Sequence, residues 1–509
     1  MNTLSARWTA GIGAACLAAM SAQSSSADQP LSPSDVYGPR ITANATTAAV
    51  VNPPRRSSST ADTLRYWNQV AIDASGLDHT PVATGETRVF GEQLGPGRSA
   101  RAMAIVHIAM FDAVNAITGG YRSYTGLARE TRPASIDAAI AAAARDTLVK
   151  MFPSQASNFD SLYARDIARI STSQERQKNL GIALGQRAAA RILARRADDG
   201  WAGTDPRMGT EWITSDAAGH WRQDPISQAP IALGANWGKV KPFVMRSPSQ
   251  FRVPPPPAMT SAAYTTAFDE VKRLGGDGVH TPTERSADQT QIGIFWAYDG
   301  TPSLCAPPRL YNQVATEISK SNRSVIELAR LFALVNVAMA DAGIAGWESK
   351  FFYDFWRPVT GIREADVGTG PSGTGDGNPA TIGDSGYFPL GAPASNLTGP
   401  NFTPPFPAYP SGHATFGAAL FETLRNFYRT DRISFTFTSD EFNGETLGND
   451  GQVRPLLPRS YTRLSQAEEE NGQSRIYLGI HWAFDKTSGI QQGRRIADYV
   501  FANAFQRVN

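Results

Sequence analysis

The run SARAMAIVHIAMFDAVNAI sets Ile105, Ile108, Ala109 and Phe111 to Ala113 on one broad face at helical spacing. No long stretch alternates apolar and polar residues as a strand would, so this chain must bury its apolar faces by packing helix on helix. Further helices are expected from LRYWNQVAIDA, SIDAAIAAAARDTLVKMF and NLGIALGQRAAARILARRADDG, the last two Ala-rich enough for close packing. Others are expected at about 260–273, 283–296, 309–319 and 323–356, then from 411 and from about 465. A long Gly/Pro/Asn-rich loop fills about 362–404, and an irregular stretch, 201–258, ends in Pro254 to Pro257, a break between halves. The fold class is all-α. One internal echo bears on architecture: VHIAMFDA at 106–113 matches VNVAMADA at 335–342, each mid-helix and ahead of a Gly-containing break.

Composition removes several function classes. A hydrophobic content of 41% with ten Trp belongs to a folded globular chain, and a net charge of +2 without a basic stripe excludes a nucleic-acid footprint. Residues 1–27 read as a secretory signal: Arg7 is the only charge, TAGIGAACLAAM is a short apolar core, and Ser25-Ser26-Ala27 suits cleavage before Asp28. A lipoprotein signal through Cys16 is the alternative; either way the expected location is secreted or periplasmic. Cleavage would leave Cys305 alone, so no internal disulfide and no Cys-rich metal site are expected. Residues 28–62, rich in Ser, Thr, Ala and Pro, read as a flexible lead-in or extended arm. No other stretch approaches the apolar length of a membrane span, so no integral membrane segment is expected.

The chemistry gathers in three places. In PAYPSGHATFGAALFETLRNF a helix opening at Ser411 would present free N–H groups and the positive end of its dipole. Gly412 permits close backbone approach there, and His413 supplies a proton carrier. Upstream, Lys350 and Arg357 stand seven apart in GWESKFFYDFWRPVTG, two helical turns, which points both cations the same way, and Pro358 then ends or kinks the helix. Downstream, SRIYLGIHWAFDKTSG carries Arg475, His481 and, at i+4 from His481, Asp485, which can hold the imidazole tautomer. One lysine, two arginines, a helix N-terminus and two histidines make a cage for a tetrahedral oxyanion.

Lys-x6-Arg-Pro, Pro-Ser-Gly-His and Ser-Arg-x5-His-x3-Asp together resemble the signature of the superfamily that joins type 2 phosphatidic acid phosphatases, bacterial acid phosphatases and vanadium-dependent haloperoxidases. IFWAYDGTPSLCAPPRLYNQ, Trp347 and PPFPAYPSGH look most like the chloroperoxidase branch of the haloperoxidases, over roughly the last 230 residues. The resemblance implies two four-helix bundles in tandem, residues 63–258 and 259–509, with long Gly/Pro-rich loops and the active site in the C-terminal bundle. It implies vanadate as cofactor, with His481 as its single protein ligand and His413 as acid–base partner. Lys350, Arg357, Arg475, Ser411 and Gly412 would bind the oxygens, Lys350 also polarising bound peroxide. Asp299 would pair with Arg475, Asp485 would orient His481, and Trp347 and Phe406 would wall the halide pocket. Hydrogen peroxide and a halide would be the substrates, with a small organic acceptor where one is used.

Two other readings stay open at this level. Phosphate and vanadate are near-isosteric, so the same residues suit a secreted acid phosphatase working through a phospho-His481 intermediate, or a non-catalytic oxyanion binder. Asp299 also reads as an ordinary turn aspartate before Gly300, and the two aromatics as core packing. His79, His107, His220 and His280 lie in unrelated contexts and receive no role; Asp112 and Asp341 read as helix-packing hydrogen-bond partners.

Overall fold

Serine hydroxyls start seven of the helices. Ser32, Ser59, Ser135, Ser261, Ser286, Ser324 and Ser411 each accept the backbone N–H three residues on, a cap that contributes about 1 kcal/mol. In the computed structural model, which describes residues 32–43, 59–203 and 205–508, these caps open half of the α-helices. The leader reading of residues 1–27, Cys16 included, lies outside the described residues. In chain order the elements are α1 (Pro33–Tyr37), β1 (Thr42–Ala43), α2 (Thr60–Asp78), α3 (Gly95–Thr118), α4 (Ile136–Met151), α5 (Ala156–Ala168) and α6 (Glu175–Arg195). There follow α7 (Ala262–Gly275), α8 (Ala287–Phe295), α9 (Pro307–Ile318), α10 (Val325–Tyr353) and α11 (Pro358–Arg363). The chain ends with β2 (Leu397–Thr398), α12 (Gly412–Tyr428), β3 (Phe435–Phe437), β4 (Arg459–Tyr461), α13 (Leu464–Tyr477) and α14 (Ala483–Asn503). The protein is all-α in substance: β1 pairs with β2 and β3 with β4, both antiparallel.

α2, α3, α4 and α6 pack as one bundle, α10, α12, α13 and α14 as another, and α3 lies against α10 between them. One apolar core runs through both, from Trp67 and Phe111 to Phe332, Phe416 and Leu420. α3 and α10 correct one expectation. Both are long and apolar enough to cross a membrane, but 94% and 100% of their most apolar windows are buried inside the fold. They are apolar all round because protein surrounds them.

The echo in the sequence has a counterpart in packing. On α6, a Cβ at Gly181 or Gly185 would lie 2.3 Å from the carbonyl oxygen of Ser135 or Ala139 on the α4 side. On α14, a Cβ at Gly489 or Gly493 would lie 2.8 or 2.2 Å from the carbonyl oxygen of Ser411 or Thr415 on the α12 side. Each pair of helices meets through two glycines four apart, seated on the capping serine and the first turn of the partner. α3 and α10, which carry the repeated octet, hold equivalent places at the middle. Asp112 accepts Tyr124 N, Thr125 N and Thr125 Oγ1 at 2.8, 2.9 and 2.6 Å. Asp341 accepts the amides of Phe243, Val244 and Met245 at 2.6, 2.9 and 2.9 Å. Both carboxylates anchor loops, the packing role expected of them.

Candidate active site

The N-terminus of α12 is the floor of the site. Ser411 Oγ accepts Ala414 N at 3.4 Å, and Ser411 N donates to Asp485 O at 3.0 Å, which ties the start of α12 to α14. The amides of Gly412 and His413 have no intrahelical acceptor, as at any helix start. Gly412 sits where a Cβ would touch the Trp347 ring at 3.3 Å, so the aromatic wall and the helix start are in contact.

Lys350 and Arg357 converge on this floor, but not along one helix face. α10 stops at Tyr353 because Asp354 turns left-handed (φ 49°), and Arg357 is the cap residue of α11, with Pro358 as its first helical residue. The two cations meet because the chain reverses between them. Lys350 Nζ donates to the carbonyls of Pro407, Ala408 and Pro410 at 2.9, 3.0 and 2.5 Å. Burial, with Arg357 nearby, presses its pKa well down, yet three carbonyl acceptors need three N–H donors, which only the ammonium has. Arg357 reaches the carbonyls of Phe406 and Ile480 at 2.9 Å each and His481 Nε2 at 2.9 Å. Burial lowers its pKa to about 9, which leaves it charged at neutral pH.

His481 and Asp485 meet differently from a single helix turn. α13 ends at Tyr477, Gly479 (φ +72°) turns the chain, and His481 lies in the break before α14. Asp485 is the third residue of α14, and its Oδ2 accepts both Trp482 N at 3.0 Å and His481 Nδ1 at 2.7 Å. Since Arg357 can only donate, Nε2 of His481 is an acceptor and Nδ1 carries the proton. Burial and the surrounding cations hold the His481 pKa well below its usual value, so the imidazole is neutral. Burial raises Asp485 to about 7, and its Oδ1 has no partner.

His413 is neutral for the same reason, burial first and Arg475 second. Its Nε2 pairs with the Ala297 carbonyl, so Nε2 carries the proton and Nδ1 keeps the lone pair. Arg475, in the last turn of α13, gives one terminal nitrogen to both Asp299 oxygens at 2.7 Å each. Asp299 is therefore an ion-pair partner and not merely a turn residue. The other donors of Arg475, Nε and NH1, are buried and unpartnered. Three buried cations face two buried carboxylates, a surplus of positive charge that calls for an anion.

A cavity of about 620 Å³, counted out to its mouth, reaches Gly412, His413, Arg475 and His481. Trp347 and Phe406 form one wall, their ring centroids 4.9 Å apart, and the Trp347 indole is fixed by the Leu233 carbonyl at 3.1 Å. Phe402 and Pro404, at the end of the long loop, line the same cavity. So do Tyr37, His79 and Gly95, residues to which the sequence assigned nothing. His79 is held by its neighbours: Nε2 accepts Gly95 N at 3.0 Å and Nδ1 donates to Ser75 O at 3.1 Å. His107 likewise bonds Met103 O and Asn68, while His220 and His280 pair with Asp354 and Asp277 at the surface. Among the described residues no cluster of three His, Cys, Asp or Glu side chains could hold a bare metal cation. The donor set fits an oxyanion instead.

Residues 330–509 match the family described as the VCPO second helical-bundle domain. Vanadium chloroperoxidase of Curvularia inaequalis is 29% identical over 498 residues, covering 83% of this chain and 78% of that protein. A bacterial vanadium-dependent iodoperoxidase superposes with a TM-score of 0.69 at 22% identity, over 89% of this chain and 99% of its own. The holo form of a bacterial vanadium-dependent chloroperoxidase gives 0.61 at 17% identity, over 88% and 97%. The chain is thus similar to vanadium-dependent haloperoxidases over most of its length, and residues 330–509 match their second helical-bundle domain.

Proposed function

We propose that the protein oxidises halide with hydrogen peroxide to hypohalous acid, using vanadate bound among Arg357, Ser411, Gly412, His413, Arg475 and His481, with Lys350, whose three N–H groups are held by backbone carbonyls, contributing its charge rather than a hydrogen bond. The observation that carries this is the pair of buried, unpartnered Arg475 donors beside a neutral His481 whose Nε2 is a lone-pair donor. When bound, vanadate supplies a Lewis-acidic centre that activates peroxide without itself changing oxidation state. His481 would be its protein ligand, with Asp485 fixing the tautomer through Nδ1. Arg357 and Arg475 neutralise the oxyanion, and the first-turn amides of α12 add fixed donors. His413, its Nε2 proton held by Ala297 O, takes the proton of incoming peroxide at Nδ1. Trp347 and Phe406 keep water off the halide and so leave it reactive; Lys350 and Arg357 both lie within about 5 Å of the Phe406 ring.

The relatives are a chloroperoxidase and an iodoperoxidase, which does not favour the phosphohistidine alternative. Export by the Arg7-led leader, and transfer of the halogen to a small organic acceptor, belong to the same proposal. His481→Ala should abolish halogenation and weaken vanadate binding. Full activity with full vanadium content in that variant would refute the reading.

A further inference from the structure

The vanadate cage is built by the second bundle, but one wall of its cavity comes from the arm that precedes the first. Residues 32–43 lie flush on the body. β1 pairs with β2, and a Cβ at Gly38 (φ +99°) would fall 2.0 Å from the Ser227 carbonyl oxygen. Tyr37 is 2% exposed, its ring set between Phe90 and Phe402 at centroid distances of 6.4 and 6.5 Å. Its hydroxyl donates to Gly300 O at 2.8 Å, with the His79 carbonyl at 3.3 Å sharing the proton.

Gly300 directly follows Asp299, whose two oxygens hold one nitrogen of Arg475. That anchor leaves Nε and NH1 of Arg475 free for the oxyanion. The turn bearing Asp299 sits in unfavourable backbone: Tyr298, Ser303 and Cys305 are non-glycine residues at φ 45°, 67° and 60°. Such conformations persist only where neighbouring contacts impose them. Three of the imposing contacts come from the first half of the chain: Tyr37 Oη on Gly300 O, Thr80 Oγ1 accepting Ser303 N at 2.9 Å, and Ser75 Oγ against Cys305 Sγ at 3.1 Å; from the second half, Gln313 and Asp440 N hold Tyr298 Oη and Asn396 holds Pro302 O. Of the first three, Tyr37 lies next to Asp299.

We propose that Tyr37 is a positioning residue of the oxyanion site, fixing the Asp299–Gly300 turn through its hydroxyl and so aiming Arg475 at the bound anion. The inference rests on the vanadate reading. It makes the arm part of the cofactor site at a distance.

The test is a double-mutant cycle on the full chain, read as the vanadate dissociation constant by titration without peroxide or halide, so that turnover plays no part. Tyr37→Phe removes only the hydroxyl and should weaken vanadate binding about five- to tenfold, the worth of one hydrogen bond. In an Asp299→Ala background, where Arg475 has already lost its anchor, the same change should have little further effect. Asp299→Asn serves as the background if the alanine variant does not fold. Wild-type affinity in Tyr37→Phe would overturn the proposal. So would an undiminished loss in the Asp299 background, since that is what a merely structural role would give. Absence of vanadate binding in the unmutated protein would instead remove the functional reading on which the proposal stands.

Discussion

His481 shows how little of a site lies in one side chain. Its imidazole presents a lone pair at Nε2 because Asp485 accepts the Nδ1 proton in a hydrogen bond and Trp482 N holds Asp485 in turn. Asp485→Ala should therefore weaken vanadate binding by about ten- to a hundredfold, the usual cost of losing such an orienting partner. Asp485→Asn, which can still accept from Nδ1, should cost less; equal losses in titrations of the two variants would contradict the orienting role. Protonation follows from burial too. His413 and His481 both bind protons only well below pH 6.5 in the folded chain, whereas in the unfolded chain they do so near 6.5. The unfolded state thus binds more protons below that pH, and this pair's contribution to stability is intact above 6.5 and falls as the pH drops. NMR titration of the vanadate-free protein should find both rings neutral at pH 6; a ring midpoint at 6.5 or above would contradict this. The residues of the cage were legible because each belongs to a short, fixed motif. Tyr37 and His79 were not, since a tyrosine in a polar lead-in and a histidine after a helix carry no local sign of what they will touch.

Among the elements, α3 and α10 carry the repeated octet and do the same job, anchoring a following or facing loop through a buried aspartate. Alanine at either Asp112 or Asp341 would strand several amides without acceptors, at a cost of about 3 kcal/mol or more. Denaturant unfolding of the two variants should show comparable losses. A negligible loss at either would mean that the anchoring contact is not used. Most helices were legible from periodicity and capping serines, because both are local. Two breaks were not. The stop at Asp354 depends on a non-glycine residue turning left-handed, and the turn at Gly479 interrupts a run that still reads as helix. Those breaks bring Arg357 and His481 within 2.9 Å of each other, so the side chains meet through turns of the chain and not through the helical alignment that their spacing suggested. α5 was missed because its apolar face is narrow: Phe159 and Leu162 are its only buried apolar residues.

At the scale of the whole molecule, the second bundle carries the cage and the first supports it. α10 is buried over most of its length, from Leu328 to Lys350, with α3 on one side. Residues 259–509 expressed alone would expose that face of α10, and would also lack Leu233 behind Trp347 and Tyr37 behind the Asp299 turn. That fragment should be insoluble or fail to bind vanadate; a soluble, vanadate-binding fragment would show that the bundles are energetically independent. Nothing local in the sequence announces this dependence, which arises from contacts between residues more than a hundred positions apart. Halide oxidation and phosphate ester hydrolysis would use the same cage. The most direct test between them uses one vanadium-free preparation, assayed with added orthovanadate for peroxide-dependent bromination and iodination of a dimedone-type acceptor, and without vanadate for p-nitrophenyl phosphate hydrolysis. A haloperoxidase should give vanadate-dependent halogenation with little hydrolysis, whereas hydrolysis inhibited by vanadate, with negligible halogenation, would contradict that function.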